Sequence, residues 1–362
     1  MESILCETGI TQRHSGPVSR GREHAPGTRS ADGGDVGALG RSLHSGGPDF
    51  NCALAPGGYA WWYIDALSDD GLHGITLIVF LGSVFSPYYA WARRNSSADP
   101  LNHCAFNIAL YGSTEARWAM TERGRAAVRR DAHSLTIGPS SIRWSGETLQ
   151  IDVDEVCVPL PRRIRGSIRL TPAALGERRF LLDERGRHSW TPYAPCGRIE
   201  VDLGLPEISW RGQGYWDSNC GSEPLESRFE SWTWSRASLP DRTIVLYDLR
   251  ERAAAPRSMA LAFDLQGGAR EIELPPTISL RTSRWRVPRE TRADAGHAVR
   301  VRTTFEDAPF YSRSLLDTHL MGQPVVAIHE SLALDRFRSK WVQCLLPFRM
   351  PRNTRPTPMN RP

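Results

Sequence analysis

Lysine is almost missing from this chain: Lys340 stands alone against forty-four arginines, a bias of codon usage that carries no chemistry of its own. Paired cysteines are missing too. Cys6, Cys52, Cys104, Cys157, Cys196, Cys220 and Cys344 are odd in number, scattered and never spaced CxxC, which speaks against a disulfide scaffold or a zinc site and fits a reducing cytoplasm. The best apolar run, "GITLIVFLGSVF" at 74–85, is shorter than the ~20 residues that span a bilayer and reads as a buried strand. No basic segment followed by an apolar stretch opens the chain, as a secretory signal would require. Walker loop, GxSxG, HExxH and a GxGxxG between strand and helix are all lacking, so phosphate-cradling nucleotide use, serine hydrolysis and zinc proteolysis are not first readings. His73, His103, His188, His319 and His329 are isolated, without metal-ligand spacing, and His329 reads as a structural, hydrogen-bonded histidine. No metal or other cofactor is expected. Acids and bases alternate around a formal charge of +5 without a long basic run, so no nucleic-acid partner is expected.

What is present is aromatic and β-prone. The 362 residues are 40% hydrophobic and include twelve tryptophans, enough for a sizeable core in one or two domains. Residues 1–47 carry ten glycines and almost no periodic apolar pattern; they read as a disordered leader. From 48 onward, short segments rich in Val, Ile, Tyr and Trp recur at a spacing of roughly 8–12 residues between Gly, Pro, Asp and Asn, the texture of all-β sandwiches and barrels. Helical periodicity is scarce; the candidates "RGRAAVRR" and "SRSLLDTHL" are short. The expected fold is mainly antiparallel β: a lobe over 48–205, a second over 206–350 beyond the interruption "LGLPEISWRGQG", and a flexible basic tail over 351–362, with the junction of the lobes a natural place for a ligand.

Carboxylates embedded in aromatic sequence are the unusual feature, because Asp and Glu are almost never buried unless paired. "ESWTWSR" sets Glu230, Trp232, Trp234 and Arg236 on one strand face, and "YAWWYID" does the same for Tyr59, Trp61, Tyr63 and Asp65. "GYWDSNCG" puts Asp217 and Asn219 on the face of Tyr215, whereas in "IVLYDLR" Asp248 lies opposite Tyr247. A carboxyl group in an apolar box stays protonated near neutral pH and can protonate an unactivated carbon. The cation so formed is stabilised by aromatic faces, by about 2 kcal/mol or more each when desolvated, until water attacks it. The same residues also fit core packing and turns: alternate Trp packs between sheets, Asp248 can pair with Arg250, and Asp217 and Asn219 lie among glycines.

The segments "PDFNCALAPGGYAWWYIDALSDDGLHGITLIVFLGSVFSPYYAWARR", "WAMTERGRAAVRR", "GYWDSNCGSEPLESRFESWTWSR", "VLYDLR", "FEDAPFYSRS", "HESLALDRF" and "LPFRMP" resemble, in order from about 48 to 352, the carotenoid 1,2-hydratases of phototrophic bacteria, also called hydroxyneurosporene synthases. The resemblance implies a two-domain lipocalin-like β protein and the addition of water across the C1–C2 double bond of acyclic carotenoids such as neurosporene and lycopene, without a redox cofactor, in carotenoid biosynthesis. It implies Asp248, in the segment matching the family's proposed acid, as proton donor, with Tyr247, Trp232 and Trp234 around the cavity and Asp217 and Asn219 positioning water; Asp65 and Asp217 remain alternative acids. Trp61, Tyr63 and Tyr215 complete the expected substrate-binding set. Wider relatives often carry His and Trp where this chain has Ser218 and Cys220. An apolar-ligand carrier, or an isomerase or cyclase, is the competing reading on the same scaffold.

A forty-carbon polyene must be collected from a membrane. After Asp335 the chain has no acid, while Arg336, Arg338, Lys340, Arg349, Arg352, Arg355 and Arg361 accumulate around Trp341, Leu345, Leu346 and Phe348. A solvated tail fits this composition, and so does a dock on an anionic bilayer. The expected location is the cytoplasm, peripherally on the intracytoplasmic membrane.

Overall fold

The strand Tyr59–Ser68 is buried along both faces, and the architecture follows from where those faces go. Ala60, Trp62, Ile64 and Ala66 join one apolar core, while Tyr59, Trp61 and Tyr63 join another. A strand covered on both sides loses the polar and apolar alternation of a surface strand, which is why "YAWWYIDAL" is apolar almost throughout. The computed structural model describes residues 40–42, 47–95, 97–112 and 116–354, and residues 38–362 form one compact unit.

Tyr59–Ser68 lies inside a long, almost wholly antiparallel sheet of fourteen strands among the described residues. On one side it pairs with His73–Leu81, followed by Cys104–Gly112 and Arg117–Arg123; on the other with Glu207–Gly221, followed by His188–Leu205, Arg163–Pro172 and Leu149–Val156. The sheet curls until its two wings meet. Arg123 from one wing forks onto Glu155 of the other with N–O distances of 3.0 and 2.8 Å, both side chains buried. Phe106, Ile108, Ile142, Ile151, Ile168 and Trp216 fill the space so enclosed.

The second sheet holds seven strands among the described residues, with Phe229–Ser238 between Arg242–Glu251 and Gln323–Ala333, and Tyr311–Leu320 beyond. Its inner face packs Trp232, Trp234, Tyr247, Leu249 and Leu332 against Tyr59, Trp61 and Tyr63 of the long sheet. Its outer face, with Ile244, Leu246 and Leu316, is covered by segments bearing Ile272, Leu280 and Val301. The fold is thus mainly β, as expected from the sequence, and the aromatic residues form the layer between two sheets.

Several local expectations shift. "SRSLLDTHL" is no helix: Tyr311–Leu320 is a strand whose Arg313 and Leu315 face one way and Ser314 and Leu316 the other, all buried. Burial on both faces hides the two-residue period. "RGRAAVRR" is a single 3-10 turn, Arg125–Ala127, running into the strand Val128–Arg130. The interruption at 205–206 falls within a hairpin of the long sheet, because His188–Leu205 pairs with Glu207–Gly221; the chain crosses to the second sheet only between Gly221 and Phe229. Within the expected leader, Gly40–Ser42 pairs with the strand Arg178–Leu181, and 1–39 lie outside the described residues. Within the expected tail, Arg352–Asn353 pairs in parallel with Arg117–Arg123; 355–362 lie outside the described residues.

Candidate active site

Asp217 is the centre of the inter-sheet layer. Its cross-strand partner is Tyr63, and that of Asn219 is Trp61, so four side chains of two central strands stand on one face within the ~5 Å of a direct cross-strand pair. The Asp217 carboxylate accepts hydrogen bonds through Oδ2 from the Trp190 indole and the Tyr215 hydroxyl, each at 2.7 Å. Its Oδ1 is buried and accepts none. No cation of the described residues is ion-paired with it. Burial pushes its pKa up to about 8, the two donors lower it, and the nearby charges of Glu330 and Asp65 raise it further. Asp217 is therefore a neutral acid at physiological pH.

Aromatic rings enclose it. Trp190 and Trp232 each meet Tyr247 edge-on, with centroids 5.7 and 5.9 Å apart; Trp234 packs on Tyr215 at 5.3 Å and edge-on to Tyr63 at 5.5 Å; Trp61 lies 6.4 Å from Trp232. The Tyr247 hydroxyl lies near the Asn219 side chain, whose Nδ2 is buried and has no hydrogen-bond partner in the protein. Of the residues singled out in the sequence, Asp217, Asn219, Tyr215, Tyr247, Trp61, Tyr63, Trp232 and Trp234 are brought together here.

Asp248 is not among them. Trp234 pairs with Tyr247 and Thr233 with Asp248 in unbroken register, so no bulge turns the two residues to one side. Asp248 projects from the outer face, accepting from Arg292 Nε at 2.9 Å and Nη2 at 2.7 Å and from Ser258 at 2.5 Å. Its carboxylate oxygens are taken up by this clamp on the face away from the aromatic layer. The proton donor implied by the family resemblance thus lies on the opposite face of its strand from Tyr247. Nor does Asp248 pair with Arg250, which reaches Glu290 instead.

An apolar cavity of about 360 Å³ runs from the surface to this box, a size typical of small-molecule sites. Phe80, Phe85, Trp118 and Phe310 line its walls, Trp61, Tyr63, Trp232 and Glu330 its inner part, and Trp285, Leu345 and Arg349 its outer part. Asp217 is not part of this lining; its cross-strand neighbour Tyr63 is. Glu330 is a cavity residue outside the set expected from the sequence. Alternation would have found it: Ile328 and Leu332 face inward, so Glu330 does as well. His329 faces outward, bonded to Ser235 at 2.8 Å and Ser331 at 2.9 Å, and its burial lowers its pKa to about 3. Glu330 pairs closely with Arg313 and accepts from Tyr63 at 2.8 Å; burial raises its pKa and Arg313 opposes that. Asp65 is the third inward acid, held at 2.7 Å by Arg236 and 3.0 Å by Arg313. The layer thus contains one neutral acid without a counterion and two carboxylates held by arginines. Among the described residues no His, Cys, Asp and Glu side chains cluster as a metal site would need.

Comparison with known proteins shows the family of the chain. The family model described as carotenoid hydratase CrtC matches residues 77–358. Relatives named acyclic carotenoid 1,2-hydratase are 52% identical over 353 residues in Thiocapsa roseopersicina, covering 97% of this chain and 87% of the relative, and 49% identical over 310 residues in Rubrivivax gelatinosus, covering 85% and 76%. A solved structure of a candidate AttH of Nitrosomonas europaea superimposes with a TM-score of 0.52 at 13% identity, over 76% of this chain and 92% of that one, and shares the fold. The chain belongs to the CrtC family of carotenoid hydratases.

Proposed function

We propose that this protein adds water across the C1–C2 double bond of an acyclic carotenoid such as neurosporene or lycopene, with Asp217 as the proton donor. The observation that carries this assignment is a fully buried carboxyl group without a cation, inside a ring of aromatic side chains. The apolar cavity receives one end of the polyene. Asp217, reached when Tyr63 or Trp232 turns aside, protonates C2 and leaves a tertiary cation at C1. The faces of Trp61, Trp232 and Trp234 stabilise it by cation–π attraction, about 0.5–2 kcal/mol each, and offer no nucleophile to trap it. Water then forms the C1–O bond and loses its proton to a carboxylate, giving the tertiary alcohol. Glu330 faces the Arg313 guanidinium, which favours its charged form, whereas Asp217 has no such partner, and this asymmetry supports Asp217 as donor and Glu330 as acceptor.

The outer part of the cavity supports a membrane partner. Trp341, Leu345 and Phe348 are 48, 42 and 75% exposed, Trp341 stacks on Trp285 at the cavity rim, and Arg338, Lys340 and Arg349 are exposed beside them. Exposed Trp and Phe flanked by cations suit the interface of an anionic bilayer. Among the described residues no helix is long and apolar enough to cross a membrane, and we place the protein peripherally on its cytoplasmic side. Arg352, one of the C-terminal cations, is bonded to Glu122 and to the Asn102 carbonyl and is not part of this exposed group.

The test is incubation of purified protein with lycopene or neurosporene in lipid vesicles made up in oxygen-labelled water. A product heavier by one labelled water is expected. Binding without conversion would replace hydration by carriage, and conversion without label would replace it by isomerisation or cyclisation.

A further inference from the structure

Hydration consumes a water at a place from which the substrate itself excludes water. A polyene end lying in the cavity occupies the route by which solvent would enter, so a second route is needed. The inner part of the cavity is polar at one point, where Tyr63 and Glu330 line it. Behind them the polar groups continue in an unbroken series. Arg313 meets Glu330 and the Tyr63 hydroxyl, and donates to Asp65 at 3.0 Å. Asp65 pairs with Arg236 at 2.7 Å, and Arg236 donates to Ser238 at 2.6 Å. Arg236 and Ser238 belong to the lining of a separate, open pocket of about 530 Å³, together with Gln213, Arg302 and Gln323. Asp65 and Arg313 are fully buried and Arg236 is 3% exposed, yet Nε of Arg313 and Nε of Arg236 have no hydrogen-bond partner in the protein. Buried donors of this kind are the groups that internal waters satisfy.

We propose that the Glu330–Arg313–Asp65–Arg236 series is a polar passage that carries water from the second pocket to the inner end of the cavity and returns the released proton to solvent. The inference rests on the hydratase reading. Within it, a water drawn from Arg313 forms the C–O bond at C1, its proton passes to the Glu330 carboxylate, and from there to solvent by way of the second pocket. Asp217 is reprotonated from solvent, so that one water is added and no proton is gained or lost overall. Phe80, Phe85, Trp118 and Phe310 stay dry, and the cation meets water from one side only.

Two variants test the passage. Arg236→Met replaces its outer charge by an apolar chain of similar length, and Gln213→Trp places a bulky ring at the exposed rim of the second pocket. In deuterium oxide the cation partitions between the alcohol and carotenoid recovered with deuterium after proton loss. Starving the cation of water should lower the ratio of alcohol to deuterated carotenoid by about 10²-fold, the low end of what one positioned proton-transfer group contributes. Quenching of tryptophan fluorescence by the polyene should stay at its wild-type level. If Arg236→Met does not fold, Gln213→Trp alone decides. An unchanged ratio in the folded variants overturns the passage and leaves hydration standing, whereas wild-type protein yielding neither alcohol nor deuterium exchange overturns the hydratase reading and the passage with it.

Discussion

Asp217 is held by an indole N–H and a phenol, donors that bind a carboxyl group without neutralising its charge. Its folded pKa of about 8 stands well above the ~3.9 of an unfolded aspartate. Between those values the unfolded chain holds fewer protons than the native one, so stability falls as pH rises through the window and levels off above it. Asp217→Asn removes that cost. The variant should melt higher than wild type at about pH 7, with the difference shrinking toward pH 4, in a calorimetric scan across that range. Turnover should fall by about 10²–10⁴-fold in the same variant, the contribution of a positioned general acid. Wild-type turnover should itself decline above about pH 8, as the carboxyl group ionises. Asp248→Asn has the opposite signature: it leaves the half-buried Arg292 guanidinium without its fork, so the melting temperature drops and any lost turnover follows the folded fraction. A variant of Asp217 that melts lower and turns over normally would return the acid's role to another residue.

At the scale of single elements, the curl of the long sheet depends on the Arg123–Glu155 pair. Burial raises the Glu155 pKa in spite of Arg123, so the charge is costly and tolerated only in its fork. Arg123→Met strands the carboxylate and should cost about 3–5 kcal/mol, while adding Glu155→Leu should recover most of that loss; paired thermal melts check both values. Strands also explain what could be read beforehand. Tyr59, Trp61, Tyr63 and Asp65 share one face because period two is a property of any strand, and so do Tyr215, Asp217 and Asn219. Alternation likewise separates Tyr247 from Asp248, and the register contains no bulge to overturn it. Arg313 was hidden because a strand buried on both faces shows no alternation, whereas Glu330, outside the expected set, was legible by alternation with the inward Ile328 and Leu332. Which face meets which was not legible: the pairing of Asp217 with Tyr63, and the contacts of Trp61 with Trp232 and of Tyr63 with Trp234, join residues more than a hundred apart in the chain.

For the molecule as a whole, the proposed chemistry is enclosed between a greasy entrance and a charged rear, and the entrance decides how substrate arrives. In the proposed docking the rim seats on the bilayer so that a carotenoid enters from lipid, and the cations proposed to hold it there are Arg338 and Lys340, exposed next to Trp341. Each basic residue near an anionic surface contributes about 1 kcal/mol, so reversing both charges in Arg338→Glu with Lys340→Glu should weaken binding to anionic vesicles by at least ~30-fold. Neither side chain lines the cavity, so turnover of detergent-dispersed carotenoid should stay at its wild-type level while turnover of vesicle-borne carotenoid falls. Raised salt should reproduce the vesicle defect in wild type, because exposed charges a Debye length of about 8 Å or more from their partners are screened. Equal loss with both substrate forms would locate the effect in the cavity, and unchanged vesicle binding would move the docking surface away from this rim.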